Sequence, residues 1–153
     1  MDAGLVIGRV VFGGLMAAHG AQKYFGWFGG YGFDAVSGMF ESLGFRPGRL
    51  FAGAASVSEI AAGLLIAAGL LGPVGPALML SVMIVAAMSV HWQHGLFAAT
   101  NGIEMPLLYG AAAVVLALTG PGAYSLDAVL GLGGLWTPAV TGIALALGVA
   151  GAL

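Results

Sequence analysis

Apolar residues fill five stretches of this chain, and polar residues collect in the breaks between them, a pattern that predicts helices crossing a bilayer. The runs at about 4–24, 50–71, 77–92 and 103–118 are each read as a membrane helix, and a last run at 138–153, of about 16 residues, is short for one. It crosses with local thinning, dips, or lies against the bundle. The predicted fold class is therefore all-α: one domain over residues 1–153, an integral membrane four-helix bundle with a fifth C-terminal segment of open placement. The long break Gly26 to Gly48 has two parts. Gly26 to Gly32 mixes aromatic residues with glycine and suits the headgroup level. Residues 33–43 place Phe33, Val36, Phe40 and Leu43 on one helical face and Asp34, Ser37 and Glu41 elsewhere, which predicts a short amphipathic helix in the interface. Gly72 to Pro76, with two prolines and two glycines, reads as a tight turn. After the fourth run, Gly120-Pro121-Gly122 closes the helix and Ser125 to Leu130 reads as a short capped helix.

Within this pattern one residue is out of place. Glu59 sits near the midpoint of the second run, where an ionisable group is expensive and needs a partner or a wet cavity inside the bundle. The first run carries Arg9, His19 and Lys23; on a wheel of 3.6 residues per turn Arg9, Met16 and Lys23 share a narrow sector with His19 beside it. That sector is expected to face inward, with Gly8, Gly13, Gly14 and Gly20 allowing close helix contact. An ion pair between Arg9 and Glu59 is expected, across a vertical offset of about 8 to 10 Å. Beside it stands the reading of Glu59 as a protonatable or ligand-binding carboxylate.

Composition narrows the function classes. With 60% hydrophobic and 7% charged residues and a mean hydropathy of +1.05, the chain is far from the soluble balance. It has no cysteine, so its own side chains supply no thiol redox chemistry. Four basic residues and a net charge of -2 argue against a nucleic-acid partner. The first run lacks a basic segment before it, so it is expected to be retained as a helix rather than removed as a signal.

Threading the runs up and down defines two faces: side A, where the first helix begins, and side B. His19, Gln22, Lys23, Arg46, Arg49, His91, His94 and Glu104 all fall toward side B, above Glu59, while side A keeps little beyond Asp2 and Asp127. A pocket open toward side B and roofed by the aromatic loop is the candidate site, with Glu59, Arg9, His19, Lys23, His91 and Glu104 binding a ligand or handling protons. Imidazoles at His19, His91 and His94 also admit metal or haem ligation, but hydrogen bonding at the interface suits them better, and no metal site is expected. Glu104 has a simple alternative as a carboxylate in a helix first turn.

The residues also carry a family resemblance. Arg9, His19-Gly20-Ala21-Gln22-Lys23, Gly38-Met39-Phe40, Glu59 with Gly63-Leu64-Leu65 and Gly69, Gly120-Pro121-Gly122 and Ser125-Leu126-Asp127, in that order and spacing, resemble the DoxX family of small bacterial inner-membrane proteins. The resemblance implies a four-helix bundle, multi-pass in the bacterial cytoplasmic membrane. It also implies association with redox or oxidative-stress metabolism, since relatives form the membrane part of a thiosulfate:quinone oxidoreductase. A quinone-like or other lipophilic ligand near Glu59 and a soluble or membrane redox enzyme as partner follow from it, besides membrane lipid; self-association is left open. With no flavin or nucleotide motif, the chain would be at most a subunit of an oxidoreductase. The alternative is a non-catalytic scaffold or a small transporter using the buried carboxylate. Positive-inside counting would make side B cytoplasmic, whereas the resemblance implies a cytoplasmic N-terminus, on side A, and an outward-facing loop.

Overall fold

The computed structural model describes all of residues 1–153, and helices are its only regular secondary structure. Helix α1 runs Asp2–Phe25, α2 Phe33–Ser42, α3 Gly48–Ala68, α4 Val74–Ala86, α5 Glu104–Thr119, α6 Leu126–Val129 and α7 Pro138–Ala152. Beyond Ala86 the fourth helix widens into a π turn at Ala87–His91 and tightens into a 3₁₀ turn at Trp92–His94. Three segments are long and apolar enough to cross a membrane: Asp2–Phe25, Gly48–Ala68 and Val74–His94. With 16 and 15 residues, α5 and α7 reach only about 24 and 22 Å at 1.5 Å per residue.

What faces outward decides the solvent. Only 29 of the 153 residues are buried, and the exposed ones include Ile7, Val11 and Leu15 on α1, Val57 and Leu64 on α3, Leu107 and Leu118 on α5, and Ile143 and Leu147 on α7. The buried set includes Arg9, Ser56, Glu59, Asp127 and Thr141. Apolar outside with charges inside is stable only in hydrocarbon, where exposed aliphatic surface costs nothing and an exposed charge costs several kcal/mol. The molecule is an all-α membrane bundle.

Four helices supply one core. Met16 of α1, Ala62 and Ile66 of α3, Met79 of α4 and Tyr109, Ala113 and Leu116 of α5 form a single buried cluster. The tightest contact within it is α1 against α3, and glycine is its cause. A Cβ on Gly13 would come within 2.6 Å of the Gly63 carbonyl oxygen, and one on Gly20 within 2.6 Å of the Ser56 carbonyl oxygen. Gly63 lies equally close to the α1 backbone at Gly13 and Ala17. Backbone approach of this kind is how helices associate where hydrophobicity gives no drive. Gly8 and Gly14, expected to share this role, face no close neighbour. Gly63→Leu is expected to force α1 and α3 apart and to cost about 3 kcal/mol or more, the upper range for overpacking, because a backbone cannot repack. A melting temperature in detergent equal to wild type would show that the contact contributes nothing.

The ends of the helices differ from the sequence expectation in instructive ways. Helix α4 begins at Val74, three residues before the predicted start, because Pro76 occupies its first turn, where a missing N–H costs no hydrogen bond. Helix α3 stops at Ala68 because Gly69 adopts the left-handed conformation with φ 65°. Helix α2 forms as predicted and packs on α3, but Ser37 lies with Val36 on its buried side, its hydroxyl donating to the Phe33 carbonyl at 2.7 Å, while Leu43 stays exposed. That internal bond satisfies the hydroxyl, which is why a polar residue can occupy the inner face. Helix α7 packs against α4, with Gly148 close to the Ala77 carbonyl, and Thr137 caps its start by accepting from Val140 N at 3.3 Å.

Candidate functional site

Glu59 is the origin of the site. It lies at the middle of α3, 1% exposed, and its Oε1 takes an ion pair from Lys23 Nζ on α1. The other carboxylate oxygen, Oε2, is buried with no partner in the protein. A buried acceptor left open is costly and marks a place where a ligand or water completes the shell. Lys23 is 31% exposed, so the pair runs from the interior toward the side-B surface.

The ion pair expected between Arg9 and Glu59 does not form. A side chain on Gly13 would fall between Gly63 and Ala67, and one on Gly20 between Ser56 and Ile60, which puts Arg9 level with about Gly69, ten residues along α3 from Glu59, or about 15 Å. No guanidinium arm spans that rise in addition to the gap between helices. Lys23 sits one turn from the level of Glu59 and takes its place. Arg9, 4% exposed, instead donates from both terminal nitrogens to the carbonyls of Pro121 and Tyr124.

A cavity of about 250 Å³ adjoins the ion pair, and His19, Lys23, Glu59, His91 and Tyr109 line it. Met83, Met105 and Pro106 contribute its apolar walls. The walls thus come from α1, α3, the α4 segment and α5, and none from residues 26–32, so the aromatic loop does not roof the cavity as expected. Gln22 explains why: its amide donates to the Phe28 carbonyl at 3.2 Å and holds the loop back over the end of α1. His19 lies edge-on to Tyr109 with ring centres 5.8 Å apart. His91 Nδ1 is 2.7 Å from the Asn101 carbonyl, which only accepts, so a neutral His91 carries its proton on Nδ1 and leaves Nε2 as an acceptor.

The histidines do not assemble as one set. His91 and His94 are three residues apart, but the change from π to 3₁₀ geometry between them breaks the common face a regular helix would give. His94 stays outside the cavity with Nδ1 3.1 Å from the Val90 carbonyl, and no group of three or more His, Asp or Glu side chains is placed to hold a metal ion. Glu104 also lies outside: its Oε2 accepts from Ala98 N at 2.7 Å, tying the loop before α5 to the first turn of that helix. Tyr109 was not foreseen. Its signal was present, as the one polar side chain between Glu104 and Thr119 in an otherwise apolar run.

Side A is richer than predicted. Asp127 is fully buried and accepts three hydrogen bonds, from Leu71 N at 2.9 Å, Gly72 N at 2.7 Å and Trp136 Nε1 at 2.7 Å. It clamps the α3–α4 turn, where Leu71 is held at φ 59°, a conformation that costs a non-glycine residue about 1 kcal/mol or more. Ser125 caps α6 as expected, accepting from Ala128 N at 3.2 Å. The residues that carried the family resemblance therefore fall into two clusters: Arg9, Gly69, Pro121, Ser125 and Asp127 at side A, and His19, Lys23 and Glu59 toward side B.

No curated protein and no solved structure matches this sequence. The model of the DoxX family matches residues 4–92, more than half of the chain. That span carries α1 through the π turn, with the Lys23–Glu59 pair, His19 and His91 inside it. The chain belongs to the DoxX family.

Proposed function

We propose that the cavity beside Glu59 binds the polar head of a quinone-like molecule, and that the protein is a redox-associated subunit, multi-pass in a bacterial cytoplasmic membrane, working with a separate redox enzyme. The observation that carries this reading is the unpartnered Oε2 of Glu59 in a cavity that also presents an ammonium and two imidazoles. The residues fit such a head. A quinol hydroxyl would donate to Glu59 Oε2, and a second would donate to His91 Nε2; for the oxidised head, Lys23 supplies a donor to a carbonyl. Quinones carry electrons and protons together, and here the chain's own part is to hold the head and accept or return protons at Glu59 and His91. Electrons pass to or from the partner, since these side chains offer no redox group of their own.

The test is equilibrium binding of a water-soluble, tail-less benzoquinol to the protein in nanodiscs. Glu59→Gln replaces one carboxylate acceptor by an amide and loses a charge-assisted bond of about 1.5 to 3 kcal/mol. Binding is expected to weaken tenfold or more. Equal affinity in wild type and Glu59→Gln would remove the cavity as the head-binding site.

A further inference from the structure

The cavity at Glu59 is small for a complete ligand. At about 250 Å³ it falls below the roughly 300 to 1,000 Å³ of sites that bury a whole drug-sized molecule. A second concavity of about 330 Å³ lies on the outer side of the same wall, between α4 and α5. Met83 and Pro106 line both, so the two adjoin at these side chains. The two differ sharply in chemistry. The inner one holds the charged and imidazole groups; the outer one is lined by Leu80, Ile84, Leu107, Gly110 and Val114 and carries no charged group. Its rim residue Leu107 is 57% exposed on the lipid-facing surface.

The structure supports a departure from regular helix at this place. The π turn Ala87–His91 widens the α4 segment just beyond Met83, and facing it Pro106 stands in the first turn of α5. Met83 is unbranched and can change rotamer without moving the backbone.

We infer that the α4–α5 groove is the tail channel of the same site: the ligand is an amphiphile that reaches the cavity sideways from the bilayer, between Met83 and Pro106, and leaves its apolar chain in the groove. This rests on the head-binding reading of the cavity. A lateral route suits the ligand class, because a long-tailed molecule never has to leave hydrocarbon to deliver its head to Glu59. It also suits the protein, since the tail covers apolar side chains while the head completes the shell of Glu59 Oε2.

Gly110 separates the two contributions. It lines the groove and not the cavity, and a Cβ there meets only Leu80 Cδ1, at 3.7 Å, so a side chain can be added toward open space. Gly110→Leu should fill the groove without touching the ion pair. Binding of two probes to the protein in nanodiscs is compared: the tail-less benzoquinol and the same ring bearing a ten-carbon chain. Wild type is expected to bind the tailed probe at least tenfold more tightly once its partition into lipid is corrected for. Gly110→Leu should erase that advantage and leave the tail-less affinity unchanged, whereas Glu59→Gln should weaken both. Leu107→Trp, at a lipid-exposed position of the same groove, is the second variant should Gly110→Leu fail to fold. An undiminished tail advantage in the folded groove variant, or equal affinity of wild type for the two probes, overturns the channel while the head cavity stands. Loss of tail-less binding in the groove variants also overturns it, because the two compartments would then not be separate. Absence of binding of either probe to wild type overturns the head-binding reading and the channel with it.

Discussion

Asp127→Ala is expected to be among the most damaging single substitutions in this chain, lowering stability by about 3 to 5 kcal/mol. The carboxylate is fully buried and satisfies Leu71 N, Gly72 N and Trp136 Nε1 together. Removing it strands all three donors, each costing about 1 to 3 kcal/mol, and it frees Leu71 from a conformation it holds only under constraint. The costs overlap, because a turn that relaxes can recover some bonds, so they do not simply add. Asp127→Asn should fall between: one oxygen still accepts, but the amide NH₂ is turned toward a donor. Trp136→Phe removes one donor with its need for a partner and should cost about 1 kcal/mol from this bond. Thermal unfolding in detergent ranks the three. Because Asp127 lies at the end of the bundle away from Glu59, the folded fraction of each variant should bind the tail-less benzoquinol as wild type does. A melting temperature of Asp127→Ala equal to wild type would show that the side-A clamp is dispensable.

The Lys23–Glu59 pair should give an asymmetric response. Lys23→Ala leaves a carboxylate that is 1% exposed without its cation, and about 3 to 5 kcal/mol is expected to be lost. Glu59→Ala leaves an ammonium whose side chain is already 31% exposed and flexible enough to reach the side-B surface, so about 1 to 2 kcal/mol is expected. The double replacement Lys23→Met with Glu59→Leu should return near to wild-type stability, because neither charge then has to be desolvated. It should nevertheless fail to bind the benzoquinol probe. Thermal unfolding of the three variants, with binding measured on the same samples, tests both halves. Equal losses for the two single variants would show that Lys23 gains nothing from its exposure. Retained probe binding in the double variant would show that the carboxylate is not what holds the head.

Much of this site was legible before any coordinates. A carboxylate in the middle of an apolar run has few physical options, so Glu59 could be named as the centre from its position alone. Up-and-down threading then placed His19, Lys23 and His91 on the same side, and all three line the cavity. Helical periodicity put Arg9, Met16 and Lys23 on one inward sector, and Arg9 and Met16 are buried. The partner of Glu59 was not legible, because ion pairing depends on the vertical register of two helices. That register is set by where Gly13, Gly20 and Gly63 let backbones meet. A shift of one or two turns exchanges Lys23 for Arg9, and no local pattern records it. The π turn likewise left no mark in Ala87 to His91, yet it separates His91 from His94.

By itself the sequence determined the solvent and the inventory: a helical chain for a bilayer, with an acid in the middle of one apolar run, few cations to answer it, and no thiol. Those follow from composition and period, which every residue reports locally. Only the tertiary structure decided who meets whom. Asp127 binds a turn 55 and more residues away, Arg9 turns to the carbonyls of Pro121 and Tyr124, and Met83 and Pro106 become the wall between two compartments. Such pairings arise from close packing between helices distant in the chain, where a rise of a few ångströms selects the partner, and periodicity along a single helix carries no information about that rise.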